Sequence, residues 1–341
     1  MSRKIALHAS YFSDNFGDVL LWEIARDMIF NSSSEVSVTD VNMPNNLRDT
    51  YTADSKELKG VDTVIFGGGG YFCPPSGSPL KWRMRNYIRH RAALDLANRV
   101  KSCVFLGVGF GDLQGTLLGS KIKSIPSDKV KLCALRDEES VKYYNSLTGK
   151  SSGVICDDLV LGWLTTQGGR YSPDGYFGIH TDFKNMSDQR VSNIISYAKE
   201  IKNSYGRIRI IVDCPSKSGK LSAQKVSNEL GGKVDILTFN GNTKDFLNGI
   251  SECSAIFTTK LHVGICAASM SIPVVSYPTH TKTPRFYRSV GMENSIMDDQ
   301  SIDKILSIVS EPNKFIMSND VSSRIKNNFK ELSASLTEAI G

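Results

Sequence analysis

The chain has 341 residues, a length that suggests about two domains, and its 40% hydrophobic and 22% charged residues are the composition of an ordinary soluble globular protein. A formal net charge of +6 is too mild to argue for nucleic acid, and suits acidic small ligands or an anionic membrane surface. Seven cysteines without a C-x-x-C pair imply neither a disulfide framework nor a zinc site; Cys103, Cys133, Cys156 and Cys253 sit in or beside apolar runs, as buried thiols of a reducing compartment.

The N-terminus, MSRKIALHAS, enters a strand at once, and its apolar run is too short for a signal peptide. No stretch approaches the ~20 apolar residues of a membrane span, and a cytoplasmic location is expected. Lys4–Ala9 reads as a buried first strand. It breaks into a turn-rich loop, Tyr11 to Asp18, before a helix running to about Phe30. Asn15 and Asp18 suit helix capping. A loop at the carboxyl end of a first strand also faces the usual ligand crevice of an open α/β sheet, so Asp18 is equally a site candidate.

A second strand is expected near Val36–Val41 and a third at Thr63–Phe66, followed by four glycines, Gly67 to Gly70. Removing every Cβ lets the backbone turn sharply or approach a ligand. The run is not G-x-G-x-x-G, which argues against a standard dinucleotide fingerprint. Leu80–Val100 is helix-compatible and carries Lys81, Arg83, Arg85, Arg89, His90 and Arg91. Such a run is first a solvated helix face. Helical spacing also puts Trp82, Arg85 and Arg89 near one face, a mixture of aromatic and basic groups that would dock on an anionic membrane surface or grip a diphosphate. Cys103–Leu106, Leu132–Leu135 and Gly153–Cys156 are the next strands; Arg136 sits at the carboxyl end of the second of these.

The polar stretch TTQGGRYSP, Thr165 to Pro173, marks a domain boundary. Strands follow at Tyr176–His180, Ile208–Asp213, Lys233–Phe239, Ala255–Thr258 and Ile272–Ser276, separated by helical patterns, and an amphipathic helix closes the chain from about Ser318. Alternating strands and helices imply parallel sheets covered on both faces. The expected fold is α/β, with two Rossmann-like domains around an interdomain cleft. Residues 1–168 are expected to form the N-terminal domain, and residues 169–317 the C-terminal domain. The helix 318–341 packs back on the first domain.

The stretch Ser254 to Tyr277 parses as strand, turn, helix, strand. Thr258 or Thr259 is the expected N-cap, with Lys260, Leu261 and His262 in the first turn. Free N–H groups at that helix end, Lys260 and His262 make a site for an anion beside a proton donor. His180 and Lys282 are candidates for the same lining, opposite the Asp14–Asp18 loop, the glycines and Arg136.

Taken in order, these motifs resemble the polysaccharide pyruvyl transferase family. Asn15-Phe16-Gly17-Asp18 resembles its N-x-G-D loop, and the strand into Gly67–Gly70 its G-G-G run. Arg136-Asp137-Glu138-Glu139-Ser140 resembles R-D-x-x-S. Asp157 or Asp158 falls where the family has an Asp after a strand. Thr259-Lys260-Leu261-His262 through Pro273 resembles S-R-L-H-x…G-x-P, and Tyr277, Lys282 and Phe286 the Tyr…Lys…Phe beyond it. Together they span about Lys4 to Gly291. Lys260 stands where the family usually has Arg, a point charge in place of a bidentate fork, and Ser271 replaces the Gly before Pro273.

The resemblance implies transfer of the enolpyruvyl unit of phosphoenolpyruvate onto two hydroxyls of one sugar, without cofactor or bound metal, by two Rossmann-like domains in a GT-B-like arrangement, residues 1–168 on the acceptor side and 169–317 on the donor side. It makes His262 the acid and Asp18 or Asp14 the group that orients or deprotonates the sugar. Arg136 and Lys260 then meet the donor's anionic groups, with Thr259, Leu261, Asn15, Gly68, Gly69, Lys282 and His180 lining the substrates. The acceptor would be a precursor of a surface or capsular polysaccharide, and a lipid-diphosphate carrier would bring the enzyme to the inner face of a membrane. A nucleotide-sugar glycosyltransferase and a non-catalytic sugar-binding protein of the same fold are the alternatives.

Overall fold

The computed structural model describes residues 3–10, 14–33, 35–41, 58–74, 80–169, 172–180, 182–184, 186–232, 234–279, 282–298 and 302–341. Tyr11, Phe12 and Ser13 of the first loop, Arg170 and Tyr171 of the expected boundary, and Lys233 lie outside them. The chain divides into two units: Met1–Ser13, Asp18–Leu159 and Asn327–Gly341 make the first, Asp14–Gly17 and Val160–Lys326 the second.

The division falls at Leu159 and Val160, ahead of the turn-rich stretch that suggested residues 168 and 169. The residues before that stretch form a helix, Leu159–Gln167, with Leu159, Val160, Leu161 and Leu164 buried. An apolar helix belongs to a core, so the shift in composition marks its end and not the boundary. The closing helix, Asn319–Ile340, counts with the first unit from Asn327 onward. There Asn328 Nδ2 donates to Asp157 Oδ2 at 2.9 Å.

The first unit is built on β1 (Arg3–His8), β2 (Val36–Asp40), β3 (Thr63–Phe66), β4 (Gly69–Phe72), β5 (Ser102–Phe110), β6 (Val130–Leu135) and β7 (Val154–Ile155). They form one parallel sheet in the order β2-β1-β3-β5-β6-β7, with β4 also paired to β5. β3 and β5 are apolar and buried almost throughout, as strands covered on both faces must be. β5 is longer than expected because Gly107, Val108 and Gly109 continue it; Gly107 takes a φ of +71°, and the register against β6 shifts there. The sheet reverses its strand order beside β1, where Gly67 and Gly68 follow β3, the usual place for a ligand crevice.

The second unit holds β8 (Tyr176–His180), β9 (Ile208–Val212), β10 (Asp235–Thr238), β11 (Cys253–Thr258) and β12 (Val274–Ser276). Their order is β10-β9-β8-β11-β12, all parallel. Its core runs through Phe177, Ile179, Ile194, Ile210, Val226, Phe257 and Val275. The order reverses between β8 and β11, so the carboxyl ends of these two strands frame this unit's crevice. Among the described residues no helix is long and apolar enough to cross a membrane.

Candidate active site

Register carries the side chains of the second unit to one edge. His180 is level with Ile211 of β9 and with Thr258 of β11, so the residues just past those strands meet beside it. Two residues beyond Ile211 is Asp213, buried, whose Oδ1 lies 3.0 Å from His180 Nε2. Two residues beyond Thr258 is Lys260. Its Nζ lies 2.9 Å from Asp182 Oδ2 and 3.6 Å from Asp213 Oδ1.

The electrostatics of this cluster are mutual. Burial alone would raise the pKa of Asp213, but His180, Lys260 and His262 outweigh it and hold the carboxyl well below its ordinary range. Burial would lower the pKa of Lys260; Asp213 and Asp182 outweigh that and keep the ammonium charged. The charge of Lys260 is thus already opposed by two carboxylates, which the expectation of a dedicated anion contact did not include. Among the described residues, no three or more His, Cys, Asp or Glu side chains are grouped to hold a metal ion.

The helix after β11 is Leu261–Ser269. Its N-cap is Lys260, in extended conformation and with no side-chain capping bond, where a threonine was expected. Thr258 is instead spent locally: its Oγ1 accepts from the Lys260 N–H at 3.1 Å. That turn sets the direction of Lys260 and leaves the first helical amides without a side-chain cap. Thr259 is buried, and its Oγ1 has no hydrogen-bond partner among the described residues.

His262, in the first turn, has a buried Nε2 with no hydrogen-bond partner among the described residues. The other side of its ring faces Gly17. A Cβ built on Gly17 would stand 2.0 Å from His262 Nδ1 and 2.3 Å from Cγ, so only glycine lets the imidazole lie there. Gly17 is held in place by its neighbours. Asn15 Oδ1 accepts from the Gly17 N–H at 2.9 Å, the capping role its residue type suggested. The Phe16 N–H donates to the Asp213 carbonyl at 2.9 Å. The Phe16 ring is fully buried, 4.6 Å from the Phe246 centroid and 5.6 Å from that of Phe239. Burying a side chain of this size contributes roughly 1.5–3 kcal/mol, which anchors the Asp14–Gly17 segment on the second unit.

Other expected site residues are accounted for within the first unit. Arg136 follows β6, and its N–H donates to the Val108 carbonyl at 3.2 Å. Its guanidinium lies over Gly109, where a Cβ would stand 2.6 Å from Nη2. Asp137 is a loose partner at 3.6 Å. The Asp137 carboxylate is engaged at the helix Glu138–Thr148, where it caps the Ser140 N–H at 2.7 Å. Ser140 Oγ in turn accepts from the Phe110 N–H at 3.0 Å. The Asp and Ser of the R-D-x-x-S segment therefore tie a helix to β5 and leave the Arg at the edge.

The glycine run is not a ligand loop throughout, since Gly69 and Gly70 begin β4. A Cβ on Gly68 would stand 2.8 Å from Leu21 Cδ2, so this glycine makes room for packing. Gly69 takes a φ of +128°, which favours glycine for conformational reasons. Asp18 lies half-buried in the first turn of the helix Phe16–Ser32, and Asp14 is exposed just before it. Leu261 is half-buried beside Lys260, and Lys282 opens the helix Lys282–Ser289. Of the expected residues, the second unit joins His180, Lys260 and His262 in one cluster and adds Asp182, Asp213 and Gly17. The missed carboxylates had a signal: Asp213 directly follows the apolar run Ile208–Val212, and Asp182 stands two residues past the end of β8.

The sequence model for polysaccharide pyruvyl transferases matches residues 15–281. The chain belongs to the polysaccharide pyruvyl transferase family. The match takes in Asn15, Gly17, Arg136, Asp213, Lys260 and His262. No curated protein matches the sequence of this pyruvyl transferase family member.

Its fold is shared with solved sugar-nucleotide enzymes. The UDP-GlcNAc 2-epimerase of Neisseria meningitidis, solved with UDP-GlcNAc, is 10% identical over 99% of this chain and 100% of its own, with a TM-score of 0.55. That of Methanocaldococcus jannaschii is 13% identical over 97% of this chain and 100% of its own, also at 0.55. A UDP-glucose:anthocyanidin 3-O-glucosyltransferase solved with UDP is 10% identical over 100% of this chain and 99% of its own, at 0.53. At such identity the likeness shows the fold alone. The transferase is thus of the GT-B-type fold class that the family resemblance implied.

Proposed function

We propose that this pyruvyl transferase family member moves the enolpyruvyl unit of phosphoenolpyruvate onto two hydroxyls of a hexose in a polysaccharide precursor, releasing phosphate. The observation that carries the reading is His262. Its Nε2 is buried, unpartnered among the described residues, and sits in the first turn of a helix whose leading amides have no side-chain cap. A donor with a carboxylate and a phosphate suits such a helix end, and an imidazole there can serve as acid.

The steps balance as follows. His262 gives a proton to the methylene carbon of the donor, leaving an oxocarbenium centre at C2. One sugar hydroxyl adds to C2 and loses its proton to a carboxylate. The C2–O bond to phosphate breaks, and the phosphate leaves with its electron pair and takes up the proton held by the carboxylate, departing as hydrogen phosphate and freeing the carboxylate. The second hydroxyl then adds, and its proton restores His262. The net change is donor plus diol to cyclic ketal plus phosphate, with no redox step and no cofactor. Asp18 or Asp14 orients or deprotonates the hydroxyls. Asp213 is a positioning residue, acting through His180 and Lys260. Lys260 and the amides at Leu261 and His262 receive the donor's anionic groups.

The test is phosphate release from phosphoenolpyruvate with a panel of galactosides, glucosides and N-acetylmannosaminides. Nucleotide sugars are run as competing donors. Phosphate release that requires one sugar class, with a ketal product by mass, supports the reading. Turnover of a nucleotide sugar alone overturns it in favour of glycosyl transfer.

A further inference from the structure

The helix Leu80–Ala97 turns its buried side, Asn86, His90, Ala93, Leu94 and Ala97, to the core of the first unit. Its opposite side is not simply solvated. Leu80, Met84 and Ile88 are 73%, 43% and 57% exposed and stand four residues apart. At 100° per residue that spacing makes one continuous exposed ridge, which reaches the side opposite the buried residues at Ile88. Lys81, Arg85 and Arg89 form a parallel exposed ridge beside it, and Arg83 and Arg91 are exposed as well. The helix has a single acidic residue, Asp95, whose carboxylate is already paired with Lys121 at 2.5 Å. Trp82, expected on the outer face, is half-buried and lines a small pocket with Pro74, Asp112 and Leu113.

Topology places this surface. The helix connects β4 to β5, which pair in parallel, so its N-terminal end lies at the carboxyl edge of the sheet. Leu80 to Ile88 is the half of the helix nearest that edge. Leu117, 57% exposed, opens the adjoining helix Leu117–Lys123.

We infer that the Leu80–Arg91 face is a docking surface for an anionic lipid bilayer. Apolar side chains flanked by cations are what the headgroup region accepts: the apolar ridge enters the acyl boundary and the cations meet anionic headgroups. A symmetric contact between two copies would bring like-charged ridges together, which disfavours a second copy as the occupant. The inference does not depend on the proposed reaction.

The test is flotation of the full chain with vesicles of phosphatidylcholine alone or mixed with phosphatidylglycerol. Three proteins are compared: wild type, Leu80→Gln/Met84→Gln/Ile88→Gln, and Lys81→Gln/Arg85→Gln/Arg89→Gln. All six side chains are exposed, and circular dichroism melts verify folding. Wild type floats with the anionic vesicles and not with the neutral ones. The charge variant loses on the order of a hundredfold in partitioning at low salt, and the apolar variant loses the part of binding that survives high salt. Wild type that stays unbound, or both variants floating like wild type, overturns the inference. So does sedimentation without lipid that shows a dimer abolished by the apolar substitutions, since the face would then belong to a second copy.

Discussion

A β-carbon on Gly17 would stand 2.0 Å from Nδ1 of His262. The two residues lie far apart in sequence, yet the first sets where the second can place its ring. The Asn15 cap, the Phe16 N–H to the Asp213 carbonyl and the buried Phe16 ring hold the glycine backbone still. Gly17→Ala therefore displaces the imidazole rather than the loop. A misplacement of about 1 Å can cost on the order of a hundredfold in rate. We expect at least that loss in kcat for phosphate release, with a small change in Tm. A variant of unchanged kcat would mean that the ring's position is not used.

His262→Ala tests the acid itself. Loss of a general acid lowers the rate by ~10²–10⁴-fold. Single-turnover phosphate release reads this directly, and donor affinity from equilibrium binding separates it from weaker capture. Turnover near that of wild type would remove His262 from the chemistry.

Asp213 holds two partners, and Asp213→Asn removes the carboxylate from both, leaving Lys260 with Asp182 alone. Breaking a buried ion pair from one side costs roughly 3–5 kcal/mol, so a lower urea midpoint is expected together with lost activity. The sign with pH follows from its depressed folded-state pKa. The stabilisation from ionised Asp213 is fully present above the ordinary value of 3.8 and is lost as pH falls through the acid range below it. The Asn variant should lack that acid-range slope. A wild-type-like slope in the variant would place the titration elsewhere. Lys260→Arg is the companion variant: a bidentate fork can keep both carboxylates, so stability near that of wild type is expected, and donor affinity reports whether the ammonium is specifically required.

Much of this was legible because it is local. The strand–turn–helix at Ser254–Tyr277 is written in a few adjacent residues, and so is the cap at Asn15. The helix Leu80–Ala97 was legible from its composition, whereas the place of Trp82 against Pro74, Asp112 and Leu113 was not. Asp182 and Asp213 were missed for the opposite reason. A lone Asp after a strand looks like any turn residue, and only the order β9-β8-β11 brings it to Lys260 and His180. The glycines misled in the same way. Gly68 resembles a ligand loop in sequence, whereas the close approach of Leu21 is set by tertiary packing. The N-cap at Lys260 departed from expectation because Thr258 Oγ1 found a nearer amide in its own turn.

The first unit contains a buried histidine pair, and it makes stability depend on pH. His8 Nε2 and His90 Nδ1 lie 2.8 Å apart, and His90 Nε2 lies 3.0 Å from Asn86 Oδ1. Both rings are buried, and Tyr71 stacks on His90 at 4.9 Å. Burial, offset slightly by a bond to the Val41 backbone, lowers the pKa of His8 from 6.5 to about 4. Burial, the neighbouring His8 and Arg89 lower that of His90 further. Between pH 4 and 6.5 the unfolded chain therefore binds more protons at these sites than the folded one. The stabilisation from keeping them neutral is present above 6.5 and is lost as pH falls toward 4. For His8 alone the shift corresponds to roughly 3 kcal/mol. Asp40 acts in the other direction: burial, partly countered by the Trp22 hydrogen bond and Arg26, raises its pKa from 3.8 to about 6, so its contribution grows as pH falls through that window. The wild-type slope is the difference between these effects, and a variant must separate them. His8→Gln/His90→Gln keeps hydrogen-bonding groups without the titration. Urea unfolding at intervals from pH 7.5 to 4.5 should give a variant whose stability relative to wild type improves steadily below pH 6.5. A constant offset between the two proteins across that range would show that the two histidines bind protons equally in the folded and unfolded states and carry no pH dependence of stability.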